Sequence, residues 1–280
     1  MNLILQALST DRPAIEHIAR MADAQQIVAI RPNAYRCEGV RYSDALKTHI
    51  DAECFAARLD YAFVEPKRTL SDFKLLTMDM DSTLITIECI DEIADMQGLK
   101  PQVAEITEAA MRGEIEFRES LTRRVSLLKG LDASALQRVY DERLQLSPGA
   151  ESMLEAVKAA GLKTLLVSGG FTFFTDRMKN RLGLDYTHSN ELEIIDGKLT
   201  GKVVGGIVDA DEKMRTVERV CAELGISAKQ AIVMGDGAND LKMMGISGMS
   251  VAFRAKPIVR AQADVALNFV GLDGILPLFD

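Results

Sequence analysis

The chain has 280 residues, 48% of them hydrophobic and 26% charged, enough apolar material for a sizeable core and better suited to two domains than one. A formal net charge of -8 leaves no electrostatic footprint for nucleic acid, and no apolar run reaches membrane-spanning length, so both partner classes are excluded and a cytoplasmic protein is expected. Cys37, Cys54, Cys89 and Cys221 form no CxxC pair and His17, His49 and His188 are scattered, which argues against zinc or a disulfide framework.

Residues 1–70 alternate strand and helix signals: strands over 3–8, 26–30 and 61–64, helices over 13–22 and 42–59. They read as a small α+β module, followed by a polar linker around Pro66, Lys67, Arg68, Ser71 and Asp72. No catalytic group of residues appears there. The module reads as a folding or homodimerising appendage, with amino-acid sensing as the alternative.

The stretch KLLTMDMDSTLIT, residues 74–86, is the centre of the chain. Its apolar run reads as a buried parallel strand that delivers Asp79 to the carboxyl edge of an open α/β sheet, where such sheets bind ligands. Asp79 and Asp81, two residues apart, are expected to face one small volume, and carboxylates so close repel unless a cation or shared proton relieves them. Magnesium is the natural relief, since it is hard, binds oxygen and takes one or two carboxylates plus substrate phosphate. The competing reading is that Asp81, Ser82 and Thr83 merely turn the chain.

Residues 87–147 are helical in periodicity with no strand signal, and a helix over 149–160 already supplies the crossover a βαβ unit needs. The intervening helices therefore read as an inserted cap above the catalytic strand, able to exclude water. From residue 162 the pattern is repeated strand and helix: a strand through LKTLLVSGG, a helix over 173–182, a hairpin at Asp196-Gly197, a helix over 212–224, a strand ending in GDGAND, then MSVAF, a short helix and VALNF. Alternation of this kind predicts a doubly wound parallel sheet, built from residues 73–86 and 148–280.

Three strand ends then present polar groups: Asp79 with Asp81, Ser168 with Gly169 and Gly170, and Asp236 with Asn239 and Asp240. In a doubly wound sheet they converge on one crevice, an arrangement suited to phosphoryl transfer, which needs an in-line oxygen nucleophile and charge neutralisation. Asp79 would attack, and Asp81 would protonate the leaving alkoxide and later activate water. The Ser168 hydroxyl and Gly169 amide would donate to phosphate oxygens, and Lys213 would add a positive charge. Taken singly, SGG is also what a tight turn uses, Lys213 could be a solvated lysine, and GDGAND could cap a helix.

DMDST, SGGF, Lys213 and GDGAND together resemble the four motifs of the haloacid dehalogenase-like superfamily of aspartate-nucleophile phosphatases, over residues 73–280. The resemblance extends, through Glu88 and the run AMRGEIEFRESLTRRVSLLKG at 110–130, to the members that release serine from O-phosphoserine as the last step of its biosynthesis. It implies Glu88 on the substrate ammonium and Arg124 on its carboxylate, and magnesium held by the Asp79 carboxylate, the Asp81 carbonyl and Asp236. It also implies Asn239 near the phosphate and Asp240 supporting the loop and Lys213. Relatives often carry an ACT-like βαββαβ domain, but the strands read in residues 1–70 fall short of one. The alternatives are another small phosphate, such as phosphothreonine, as substrate, transfer to an acceptor such as homoserine, or a non-catalytic amino-acid-binding protein.

Overall fold

The structure, a computed structural model, describes residues 1–9, 11–111 and 114–279. Arg112 and Gly113 of the 110–130 run lie outside the described residues, as do Thr10 and Asp280. The first six elements are β1 (Asn2–Gln6), α1 (Arg12–Met21), β2 (Gln26–Arg31), β3 (Ala34–Glu38), α2 (Asp44–Ala56) and β4 (Asp60–Val64). Side-chain oxygens start both helices: Asp11 accepts from the Ala14 N–H and Ser43 from the Leu46 N–H, each at 3.1 Å.

These elements complete a βαββαβ unit with antiparallel order β2-β3-β1-β4. The shortfall expected from the sequence is thus corrected. Strand β3, AYRCE, escaped notice because it is five residues long and two of the five are charged, so neither alternation nor a β-branched run marks it.

Beyond it come β5 (Leu75–Met78), the helices α3 (Cys89–Asp95), α4 (Lys100–Met111), α5 (Phe117–Leu127) and α6 (Ser134–Glu142), then α7 (Ala150–Ala159) and β6 (Lys163–Phe171). The chain continues through α8 (Thr172–Leu182), β7 (Tyr186–Ile195), β8 (Lys198–Val204), α9 (Ala210–Leu224) and β9 (Ala231–Gly235). It closes with α10 (Leu241–Ile246), β10 (Met249–Phe253), α11 (Pro257–Gln262) and β11 (Val265–Leu267). One 11-stranded sheet runs β2-β3-β1-β4-β11-β10-β9-β5-β6-β7-β8. Its stretch from β11 to β7 is parallel, and β8 turns back antiparallel through a hairpin whose Asp196 and Gly197 have φ of 49° and 74°, both left-handed as that tight turn requires.

Both faces of β5 are covered, which is why it is apolar without alternation: Leu76 and Met78 join one core cluster and Leu75 the other. The helical insertion is tied to the hairpin by its backbone. The Gly130 and Ala133 N–H groups donate to the Leu199 and Gly197 carbonyls, and the Leu199 N–H donates to Leu131, all at 2.8 Å.

The first module is not loosely tethered. Ile4, Ala62 and Val64 belong to the main core cluster, while Leu3 and Leu5 face the module's own helices. The polar stretch read as a linker is packed as well: Arg68 donates to the Gly248 carbonyl at 3.0 Å and lies over the buried Phe73 ring. At the seam β4 meets β11, and the buried Asp60 carboxylate accepts the Asn268, Phe269 and Val270 N–H groups at 2.7, 2.9 and 2.9 Å. Asp60→Ala strands these donors and is expected to cost about 3 kcal/mol, read as a lower urea midpoint with unchanged slope. A change under about 0.5 kcal/mol would show that water replaces the carboxylate.

Candidate active site

Asp79 follows β5 directly and is 5% exposed. From there to Leu84 the chain makes one wide, irregular turn, closed by the Leu84 N–H on the Asp79 carbonyl (3.3 Å) and the Ile85 N–H on the Met80 carbonyl (3.0 Å), with Asp81 and Ser82 both outside helical geometry. Ser82 sits within it at φ 56°, a left-handed conformation that costs a non-glycine residue about 1–2 kcal/mol. From that position its hydroxyl donates to Glu88 at 2.6 Å.

Oδ1 of Asp79 accepts from the Met80 N–H and from the Lys213 ammonium, both at 2.8 Å. Lys213, on α9, is fully buried and reaches Asp240 Oδ1 at 2.8 Å as well. The Asp81 carboxylate turns elsewhere. Its Oδ1 accepts from the Cys89 N–H at the start of α3 (3.0 Å) and its Oδ2 from the Ser168 hydroxyl (3.4 Å). Asp79 and Asp81 therefore share one cavity but not one set of partners, because the wide turn replaces the extended chain on which their common direction was expected. A side chain at Gly170 would begin 2.5 Å from Asp81 Oδ2, so only glycine lets the end of β6 approach this acid.

Past β9, Asp236 accepts from the Thr83 hydroxyl at 3.2 Å, and Asp240 Oδ2 closes the loop by accepting the Gly237 N–H at 3.1 Å. Asp79, Asp236 and Asp240 bring carboxylate oxygens within 4.8 Å of one another. Burial lifts Asp79 well above the usual carboxylate range against the pull of Lys213, and Asp240 and Asp236 add to the rise. Asp236 is pushed to about 6 by burial and by Asp240. Burial disfavours the Lys213 charge, but Asp240 and Asp79 outweigh it and hold the ammonium above its ordinary value. When fully ionised, three carboxylates against one ammonium leave two negative charges in excess, the number a divalent cation cancels. Oxygen is the only donor type offered, which suits a hard cation.

Above this floor is a cavity of about 890 Å³. Its opposite wall comes from the helical insertion, with Glu88, Ile90, Phe117 and Arg124. Glu88 is open to the cavity, yet the surrounding protein displaces bulk water, and that loss together with Asp81 raises it to about 8. Burial lowers the Arg124 pKa, opposed by Asp91 and Glu88. One carboxyl group and one guanidinium thus line the wall opposite the acidic floor.

Of the residues expected from the sequence, Asp79, Asp81, Glu88, Arg124, Gly169, Asp236 and Asn239 line the cavity. Ser168, Lys213 and Asp240 lie beneath its floor, each fully buried, where Ser168 meets Asp81 and Lys213 bridges Asp79 to Asp240. Sequence reasoning assigned nothing to Thr83, Cys89 or Asn190. Thr83 alone carried a signal, a hydroxyl inside the DMDST motif.

A family model for haloacid dehalogenase-like hydrolases matches residues 76–245, from the strand behind Asp79 to the helix after Asp240. The chain belongs to the haloacid dehalogenase-like hydrolase family. It is 60% identical over 218 residues to the phosphoserine phosphatase of Polaromonas sp., covering 76% of this chain and 92% of that one. Its structure is similar to a haloacid dehalogenase family hydrolase of Salmonella enterica serovar Typhi, with TM-score 0.88 and 31% identity over 100% of this chain and 98% of that. A probable phosphoserine phosphatase of Vibrio cholerae superposes with TM-score 0.83 and 35% identity, covering 99% and 85%. Ahead of the haloacid dehalogenase-like core, residues 3–50 match a domain of unknown function. No helix among the described residues is long and apolar enough to cross a membrane.

Proposed function

We propose that this chain is a magnesium-dependent phosphatase that hydrolyses O-phospho-L-serine to L-serine and phosphate, through an aspartyl-phosphate formed on Asp79. The observation that carries this reading is the cavity itself, with Asp79 and Asp81 on its floor and Glu88 and Arg124 on its cap side. A small phosphate ester bearing one ammonium and one carboxylate matches that charge pattern. The phosphoserine phosphatases among the relatives support it.

A magnesium ion held by the Asp79 carboxylate, the Asp81 carbonyl and Asp236 would neutralise charge on the phosphoryl oxygens. Asp79 Oδ2, the oxygen not held by Met80 and Lys213, attacks phosphorus while the bond to the serine oxygen breaks. Asp81, whose burial raises its hold on a proton, protonates that departing oxygen. It then takes a proton from the water that attacks the aspartyl-phosphate, releasing phosphate and restoring Asp79. The Gly169 amide and Asn239 steady the phosphoryl oxygens, and the Lys213 ammonium beneath Asp79 favours its ionised form against the burial that lifts its pKa. Residues 1–70 as an appended module, 87–147 as the cap, a cytoplasmic location and a homodimer belong to the same reading.

Phosphate release with magnesium, measured across phosphoserine, phosphothreonine and unrelated phosphomonoesters, tests it. A clear preference for phosphoserine is expected, and equal use of all three would sink the substrate assignment. Arg124→Ala is expected to lower kcat/KM for phosphoserine about 100-fold, and for p-nitrophenyl phosphate less than about 3-fold. Equal losses would mean that Arg124 does not read the substrate carboxylate.

A further inference from the structure

The ladder between β6 and β7 is regular as far as Val167↔His188, slips, and resumes at Phe171↔Asn190. The slip lifts Ser168, Gly169 and Gly170 out of the sheet so that they can turn towards the cavity floor, and it removes the strand partners their peptide groups would have had. The Asn190 side chain fills that gap. It is 1% exposed, its Nδ2 donates to the Gly169 carbonyl at 2.7 Å, and its Oδ1 accepts the Val208 N–H at 2.8 Å.

The two partners fix the orientation of the amide, since a carbonyl can only accept and an N–H can only donate. Val208 leads straight into Asp209, which caps α9 by accepting the Glu212 N–H at 2.9 Å and whose carbonyl accepts the Lys213 N–H at 2.8 Å. One buried side chain therefore spans the loop that presents the Gly169 amide and the start of the helix that carries Lys213 to Asp79.

We infer that Asn190 is a positioning residue for phosphoryl transfer: it sets the distance between the phosphate-oxygen donors of the Ser168–Gly170 loop and the Lys213–Asp79 pair. The inference rests on the phosphatase reading above but not on the identity of the ester. Its effect falls on the phosphoryl group, which every phosphomonoester shares, whereas Arg124 acts on the rest of the substrate.

The test uses the full chain carrying Asn190→Asp or Asn190→Ser. Asn190→Asp is nearly isosteric, keeps the acceptor for Val208, and sets an oxygen against the Gly169 carbonyl. In the folded variants kcat/KM is expected to fall about 100-fold, the cost of misplacing a reacting group by roughly an ångström, equally for phosphoserine and p-nitrophenyl phosphate. Calorimetric titration with inorganic phosphate is expected to show about 10-fold weaker binding, with thermal unfolding still cooperative. The inference is overturned by a folded variant within about 3-fold of the parent, by a loss confined to phosphoserine, or by failure of both variants to fold, which would make Asn190 a determinant of folding alone. A parent protein that cleaves the aryl ester and not phosphoserine would sink the substrate assignment and leave this inference standing.

Discussion

Asp79→Asn is expected to abolish turnover, by about 10⁵-fold or more, while leaving the fold intact. An amide in the same space cannot attack phosphorus, and the other floor carboxylates are engaged elsewhere: Asp240 by Lys213 and Gly237, Asp81 by Cys89 and Ser168, and Asp236 by the Thr83 hydroxyl. The stability of the metal-free protein should move the other way. Asp79 and Asp236 both have folded pKa values above their unfolded ones, Asp236 at about 6, so the folded state binds more protons than the unfolded chain. Their contribution is full below the unfolded carboxylate value near 4 and is lost as pH rises through the folded values. Metal-free protein should accordingly lose stability between about pH 4 and pH 7, and Asp79→Asn should flatten that slope. Urea midpoints across this range, with chelator present, measure it. Turnover near the parent level would remove the covalent mechanism, and an unchanged slope would remove the electrostatic account of the floor.

Lys213→Met is expected to be the most damaging single change to stability. Methionine nearly conserves the volume, but it leaves Asp79 and Asp240 buried with no counter-ion, and breaking a buried pair in this way costs about 3–5 kcal/mol. That is a large share of the stability of an ordinary domain. The second substitution in Lys213→Met with Asp240→Asn removes one of the stranded charges and should recover part of the loss, so the two changes should not add. Urea unfolding at pH 8, where the carboxylates ionise most fully, gives the largest contrast. A single variant within about 1 kcal/mol of the parent would mean that the acids protonate and the ammonium is dispensable.

Much of this site was legible in the sequence because its parts sit where simple rules place them. Asp79, Ser168 and Asp236 each follow an apolar run at the end of a parallel strand, and strand ends in such a sheet share one edge. Asp196-Gly197 named its own turn. Three things were not legible. Strand β3 has too short and too charged a sequence to announce itself. Ser168 and Lys213 were expected against the phosphate and instead lie under the floor, because a residue type says which charge is present but not which neighbour it faces after packing. Asn190 works through a carbonyl and an N–H at sequence distances of 21 and 18, and backbone partners leave no trace in the residues that supply them.

The seam at Asp60 bears on how the polypeptide emerges from the ribosome. Strand β4 can pair with β1 as soon as residue 64 is made, but its other edge waits for β11 and for the N–H groups of Asn268 to Val270, the last supplied 210 positions later. Throughout that interval an unpaired strand edge, the surface by which nascent chains stick to one another, carries an ionised aspartate. The carboxylate that later seals the two halves thus guards the first of them while translation continues.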